Sequence, residues 1–213
     1  MLKPKTKSYA IVVFALDNLV ESVTLGAGGA QAFVLDGALI VGGVLPVQEL
    51  GYLVGYDSNG DDTGITFTTI GTDPDGNATS EVVSGGSSVI AVGTVFFRSI
   101  ASITASGDTN STITIGTVDT TLVAQSPTYS LDIYQPHTSV AVNISGTISY
   151  TVLKTFQRPT QGDTLNFQAG GLATQTADAN TSYTAPTGGV RLQINSYSAG
   201  ATASVTYAQS RLT

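Results

Sequence analysis

The chain has 213 residues, of which 41% are hydrophobic and 11% charged, with a formal net charge of −7 and no cysteine. That length allows one large β domain or two small ones, each with its own core. Without cysteine there are no disulfides, no thiolate catalysis and no cysteine-bound zinc, and no apolar run approaches the roughly 20 residues of a membrane-spanning helix.

Average proteins are about 25% charged, so this surface is unusually neutral and must be covered by Thr and Ser. Basic residues are absent from Ser8 to Phe97, a stretch that holds ten carboxylates from Asp17 to Glu81. A nucleic-acid binder needs Lys and Arg to displace counterions from phosphate. Contact with nucleic acid is therefore not expected, and neither is contact with a membrane. The one positive cluster is Lys3, Lys5 and Lys7, read as the solvated end of an N-terminal arm. Lys3–Lys7 followed by Ala10–Leu16 has a faint look of a signal peptide. The apolar run is too short for one and stops at Asp17.

Strand signals recur along the chain. Tyr9–Leu16 is a compact apolar run with the length of a buried strand. Val23–Leu25 and Gln31–Leu35 flank Gly26-Ala27-Gly28-Gly29, which reads as a turn. Ala38–Val41 and Leu50–Tyr56 follow, and Ile65–Ile70 alternates apolar and polar residues as a half-buried strand does. Ser80–Val83, Ser88–Val92, Phe96–Ile103 and Thr112–Ile115 continue the series, divided by Asp-Gly, Gly-Gly and Ser-Gly pairs that favour turns. Leu122–Pro127 lacks alternation and ends in proline, which suggests a boundary. Beyond it Tyr129–Tyr134, Ser139–Ile144, Thr147–Phe156, Thr164–Phe167, Val190–Tyr197 and Ala203–Ala208 read as strands. Residues 143–147 are expected to join two of them as a hairpin. No segment sustains a 3.6-residue period. The expectation is an all-β chain with little helix, folded as two antiparallel β-sandwich or barrel-like domains. The divisions expected are 1–20 as an arm and first strand, 21–122 as the first domain and 123–213 as the second.

Few residues suit catalysis. His137 is the only histidine, it lies in the turn-like Gln135-Pro136-His137-Thr138, and no serine sits in a nucleophile elbow. A surface histidine is the expected reading. Asp57-Ser58-Asn59-Gly60-Asp61-Asp62 and Asp73-Pro74-Asp75-Gly76-Asn77 each offer several oxygens within a short loop, as calcium requires. Neither completes the twelve-residue calcium loop with its bidentate Glu. Asp, Asn and Gly are also the preferred turn residues, and turns are the preferred reading. No two carboxylates are placed for glycoside hydrolysis, and the absence of Trp argues against a sugar-stacking subsite. Gly26–Gly29 is followed by no phosphate-loop lysine. Phe96-Phe97-Arg98 could stack bases, but one arginine in an acidic stretch points instead to core packing. No catalytic, cofactor-binding or metal residues are assigned, no cofactor is expected, and the chain is not read as an enzyme.

The middle of the chain resembles a pattern of tailed-phage virion proteins. It is carried by Asp62–Asp73 (DTGITFTTIGTD), Asp75-Gly76-Asn77 and Ser80-Glu81, then by Phe96–Thr104 (FFRSIASIT) and Thr112–Gly116 (TITIG). Ser145–Thr155 (SGTISYTVLKT), Gly189–Tyr197 (GVRLQINSY) and Thr206–Gln209 resemble later segments of the same proteins in the same order. Lys154 stands where the family often has Gln or Glu. Residues 1–20 and Gln161–Thr184 lie outside the resemblance. It implies a virion structural part, first a capsid decoration or cement protein, with a neck, collar or tail component as the alternative. The partners implied are the major capsid protein or other virion proteins, with a homo-oligomer (trimer or ring) expected in the virion. A carbohydrate- or receptor-binding fibre module is the third reading; it predicts a surface aromatic cluster.

Overall fold

The structure is a computed structural model that describes residues 4–26, 28–118, 123–135, 137–160 and 165–210. The first strand is β1 (Lys5–Ala10). Nine follow: β2 (Ala15–Val23), β3 (Gln31–Ala32), β4 (Gly51–Tyr52), β5 (Val54–Ser58), β6 (Thr66–Thr72), β7 (Ala78–Ser84), β8 (Ile90–Val92), β9 (Ser99–Ala105) and β10 (Ile113–Thr117). The last eight are β11 (Ala124–Gln125), β12 (Tyr129–Ser130), β13 (His137–Ser145), β14 (Ile148–Thr155), β15 (Gln168–Gln175), β16 (Ala179–Tyr183), β17 (Gly189–Tyr197) and β18 (Thr202–Ser210). The described residues are all-β and form no helix.

Two compact units result. One combines Met1–Val13 with Thr120–Thr213, and the other is Phe14–Asp119. The second unit is thus inserted into the first, between β1 and β11. The N-terminal residues do not form a separate arm. β1 pairs along its length with β18, Lys5 opposite Tyr207 and Ala10 opposite Thr202, so residues 1–13 belong with the C-terminal half. Tyr9–Leu16, expected as one strand, is split because the chain crosses between units at Val13 and Phe14.

In the inserted unit one sheet has the order β2-β10-β5-β8 and the other β3-β9-β6-β7. Counted along this unit without the two-residue β4, the orders are 1-8-3-6 and 2-7-4-5, with antiparallel neighbours. That is a jelly roll, the eight-stranded double sheet built from two Greek keys. In the host unit β1-β18-β13-β16 form one sheet; β15-β14-β17-β11, with β12 also on β17, form the other. Taking β11 and β12 together as the second strand, the orders are again 1-8-3-6 and 2-7-4-5. The chain is therefore one jelly roll inserted between the first and second strands of another.

Alternation of side chains builds each core. In the inserted unit Leu19, Tyr56, Phe67, Phe97, Ile100, Ile103, Ile113 and Ile115 are almost wholly buried in one cluster. Burying each such side chain contributes about 1.5–3 kcal/mol. Tyr56 stacks on Phe67 with ring centres 4.8 Å apart, and its hydroxyl bonds Thr69 Oγ1 at 2.5 Å. The ends of this unit meet, with Ala15 opposite Thr117. There Asn18 Nδ2 donates to Thr117 Oγ1 (2.6 Å) and Asn18 Oδ1 accepts from Thr117 N (2.9 Å). Gly116 lets the strands close at this point, since a Cβ there would lie 1.9 Å from the Ala15 carbonyl oxygen. Meeting ends are what permits a domain to sit inside another.

In the host unit Val140 and Val142 of β13, Tyr150 and Val152 of β14, Leu192 and Ile194 of β17 and Val205 of β18 are buried. Residues 143–147 do not make a simple hairpin, because β13 and β14 belong to different sheets and the turn carries the chain across. Ala38–Val41 is not a strand; Val41 makes only an isolated bridge to Val44. Thr164 lies outside the described residues, and 165–167 precede β15 rather than forming a strand. β15 and β16 carry no strand signal of the kind read above, being rich in Ala, Gly, Gln and Thr.

Candidate assembly surfaces

In both acidic segments Asp61, Asp62 and Asp73 accept hydrogen bonds from their own or a neighbouring loop. Asp73 Oδ1 accepts from the backbone N–H groups of Asp75 and Asn77 (2.9 Å each), and Asp73 Oδ2 accepts from Asn77 Nδ2. With Gly76 at φ +86° this closes the β6–β7 hairpin, the backbone role for which Asp, Asn and Gly are favoured. Asp61 Oδ1 takes both Thr63 N (3.1 Å) and Thr63 Oγ1 (2.7 Å); the Thr63 hydroxyl, then its N–H, hold this carboxyl below its ordinary range. Asp62 is wholly buried. It accepts from Ser58 Oγ (2.5 Å) and Asn110 N (2.7 Å), tying the loop after β5 to the loop before β10. Among the described residues no three His, Asp or Glu side chains gather as a metal-holding group.

The other positions singled out in the sequence are placed as follows. Gly28 and Gly29 have φ near +78° and +76° in the link from β2 to β3; Ala27 and Pro136 lie outside the described residues. Phe96 and Phe97 are both buried, and Phe97 is fully so. Arg98 Nε donates to the Gln48 carbonyl (2.6 Å). His137 is an exposed residue opening β13, opposite Ser210.

The inserted unit presents an uncharged sheet face. On the outside of β3-β9-β6-β7, register sets Ser102, Ile70 and Ser80 in one row and Thr104, Thr68 and Val82 in the next. Ile70 is 48% and Val82 63% exposed. β7 is the outer strand of this sheet, and its seven residues pair with β6 without a register break. Charged side chains on an outer strand discourage pairing with other chains. The one charge on β7, Glu81, is turned away: its Oε1 accepts from Thr94 N (2.6 Å), Thr94 Oγ1 (2.9 Å) and Val95 N (3.2 Å).

One end of the host unit gathers cations and aromatic rings. The register places Lys5 beside Tyr207, Thr138 beside Tyr183, and Tyr129 and Lys154 on either side of Val190. The two sheets meet there: Tyr129 stacks on Tyr207 with centres 4.3 Å apart. Lys5 Nζ lies 5.8 Å from the Tyr129 ring and Lys154 Nζ 5.0 Å from that of Tyr183. Such contacts are worth about 0.5–1 kcal/mol at exposed sites. Exposed Phe156 and Tyr134 flank the end, and Arg158 with residues 130–134 lines a recess of about 370 Å³. The Tyr183 and Tyr207 hydroxyls are buried without a hydrogen-bond partner. Burial raises the Tyr183 pKa to about 12. Burial, then the neighbouring Tyr9, Tyr129 and Tyr183, push Tyr207 well above 10.

Sequence reading did not find this end. Its members are scattered from Lys5 to Tyr207, and only strand order brings them together. Comparison of the chain with protein-family models and with curated proteins gives no match to either.

Proposed function

We propose that this chain is a structural protein of a tailed-phage virion that works by protein–protein contact, first as a capsid decoration or cement protein. A neck, collar or tail position is the alternative within the same role. The observation that carries the proposal is the outer sheet face of the inserted unit. It is free of charge along two rows and bounded by a strand that pairs without a register break and whose only carboxylate is folded inward. Uncharged faces with exposed Ile and Val suit burial against another chain. The jelly-roll architecture adds support by analogy, since viral capsid domains use it; a fold alone does not fix a function. The ordered motifs point the same way.

A receptor- or carbohydrate-binding module is the second reading, favoured by the exposed aromatic residues at the host end. Lectin domains also use jelly rolls.

The test is fractionation of density-gradient-purified particles with quantitative mass spectrometry of this chain. A fixed copy number per particle is expected. The double variant Ile70→Lys/Val82→Lys should lose incorporation while keeping its melting temperature. Recovery of the natural chain only in particle-free fractions would overturn the proposal.

A further inference from the structure

The two units carry opposite charge. Phe14–Asp119 holds twelve carboxylates against the single Arg98, a net of −11; Met1–Val13 with Thr120–Thr213 holds three carboxylates against seven Lys and Arg, a net of +4. Together these make the −7 of the chain. An even scatter of eight cations would put about half of them in each unit. Seven lie in the host unit.

The charges are also placed. In the host unit Lys5 and Lys154 lie at the cation–aromatic end with Arg158. Arg191 stands beside it, its guanidinium 4.2 Å from the Phe167 ring and bonded to Gln125 and Thr128. The chain leaves the host unit after Val13 and returns to it at Thr120, and Tyr197 at the far end of β17 donates to the Val12 carbonyl (3.3 Å). Lys5, Lys154 and Arg191 thus lie toward the end of their strands remote from Ala10–Val12. In the inserted unit the chain enters and leaves where Ala15 meets Thr117. Asp57, Asp61 and Asp108 lie toward the opposite end, where Val23, Ser58 and Ile113 share a row. Asp61 and Asp108 are exposed there.

We infer that the partner of the cation–aromatic end is the anionic loop end of the inserted unit in a second copy of this chain. This rests on the assembly reading above and adds the orientation of one contact. The contact joins two different surfaces of the chain. Repetition then closes a ring or extends a row, as heterologous contacts do, instead of stopping at a two-fold dimer. The aromatic rings supply the desolvated centre of such a contact. The carboxylates supply its register and its approach rate.

The test uses the full chain in sedimentation velocity at low and high salt, with two charge-reversed variants. One carries Lys5→Glu and Arg158→Glu in the host end; the other carries Asp57→Lys and Asp61→Lys in the inserted end. Lys5, Arg158 and Asp61 are exposed and Asp57 is half-buried, and thermal melting of each variant checks that it is folded. The natural chain should self-associate at low salt and weaken on the order of tenfold as added salt shortens the screening length from about 10 Å to about 3 Å. Each variant alone should be monomeric, and mixing the two should restore the assembly. A natural chain that stays monomeric at low salt overturns the inference, as does an assembly indifferent to salt. So does failure of the mixture to associate. Binding of heparin by the host end with no self-association would overturn it in favour of an anionic glycan. None of these outcomes bears on incorporation into particles, which is read separately in the gradient experiment.

Discussion

The host and inserted units reach one topology by different means. In the inserted unit β6 and β7 pair through seven consecutive residues. In the host the equivalent β14 and β15 slip register twice, where Gly171 (φ +83°) and Thr174 (φ +52°) take left-handed backbone. The inserted core satisfies its polar groups: Tyr56 bonds Thr69, Asn18 clasps Thr117, and Asp62 is bonded to Ser58 and Asn110. The host instead leaves two buried tyrosine hydroxyls unpartnered. Both units carry register shifts, in β2–β10 and β6–β9 of the inserted one and in β14–β15 and β14–β17 of the host, so one strand order tolerates bulges at different places, with buried hydroxyls either paired or unpaired. The inserted copy offers an uncharged sheet face, and the host copy gathers charge and rings at one end.

The largest effect expected is on the host alone. Deleting residues 1–10 removes β1 and the buried Tyr9 from the sheet, and a lost buried aromatic costs about 3–5 kcal/mol. Differential scanning calorimetry should show the host transition lowered or lost and that of the inserted unit kept. A deletion without effect would mean that β1 is a dispensable arm.

Phe67→Ala tests the other side. Phe67 packs on Tyr56 and Phe33, so its loss should cost about 3–5 kcal/mol, read as a lower denaturant midpoint for the inserted unit. Asp62→Ala should cost about 1–3 kcal/mol in the same unit by leaving the Asn110 N–H without its acceptor.

A matched pair of substitutions separates the units more finely. Tyr56→Phe breaks the bond to Thr69 and should destabilise by about 1 kcal/mol. Tyr207→Phe removes a hydroxyl that has no partner and should be neutral or stabilising by up to about 1 kcal/mol. Equal signs in urea unfolding would contradict the contrast between a satisfied and an unsatisfied core.

Alkaline titration is the smallest test. Burial, with a smaller push from Glu81 and against the bond from Thr69, raises Tyr56 to about 12, and burial raises Tyr183 likewise. The unfolded chain releases these protons near pH 10 while the folded chain keeps them. Stability is thus fully present below about pH 10 and falls as the pH rises toward 12. Tyrosinate absorbance from Tyr56 and Tyr183 should appear only as the fold opens.

Legibility in the sequence followed alternation. β6, β13, β14, β17 and β18 could be read because Phe67, Val140, Tyr150, Leu192 and Val205 alternate with polar residues. β15 and β16 could not, because bulges and positive-φ residues break the period and Ala and Gly replace large side chains. The all-β class followed from composition. The nesting did not, since pairing of Lys5 with Tyr207 spans nearly the whole chain and leaves no local mark. The turn character of the acidic loops was visible in Asp-x-Asp-Gly-Asn. The cation–aromatic end was hidden, because no two of its central members are neighbours in sequence.

The central claim is that this chain is built to be covered by other chains. Electron cryomicroscopy of intact gradient-purified particles tests it most directly. The account predicts symmetry-repeated density for both sandwiches, with Ile70 and Val82 buried against a neighbouring chain. Particles with no density for the chain, or with that sheet face open to solvent in every copy, would contradict it.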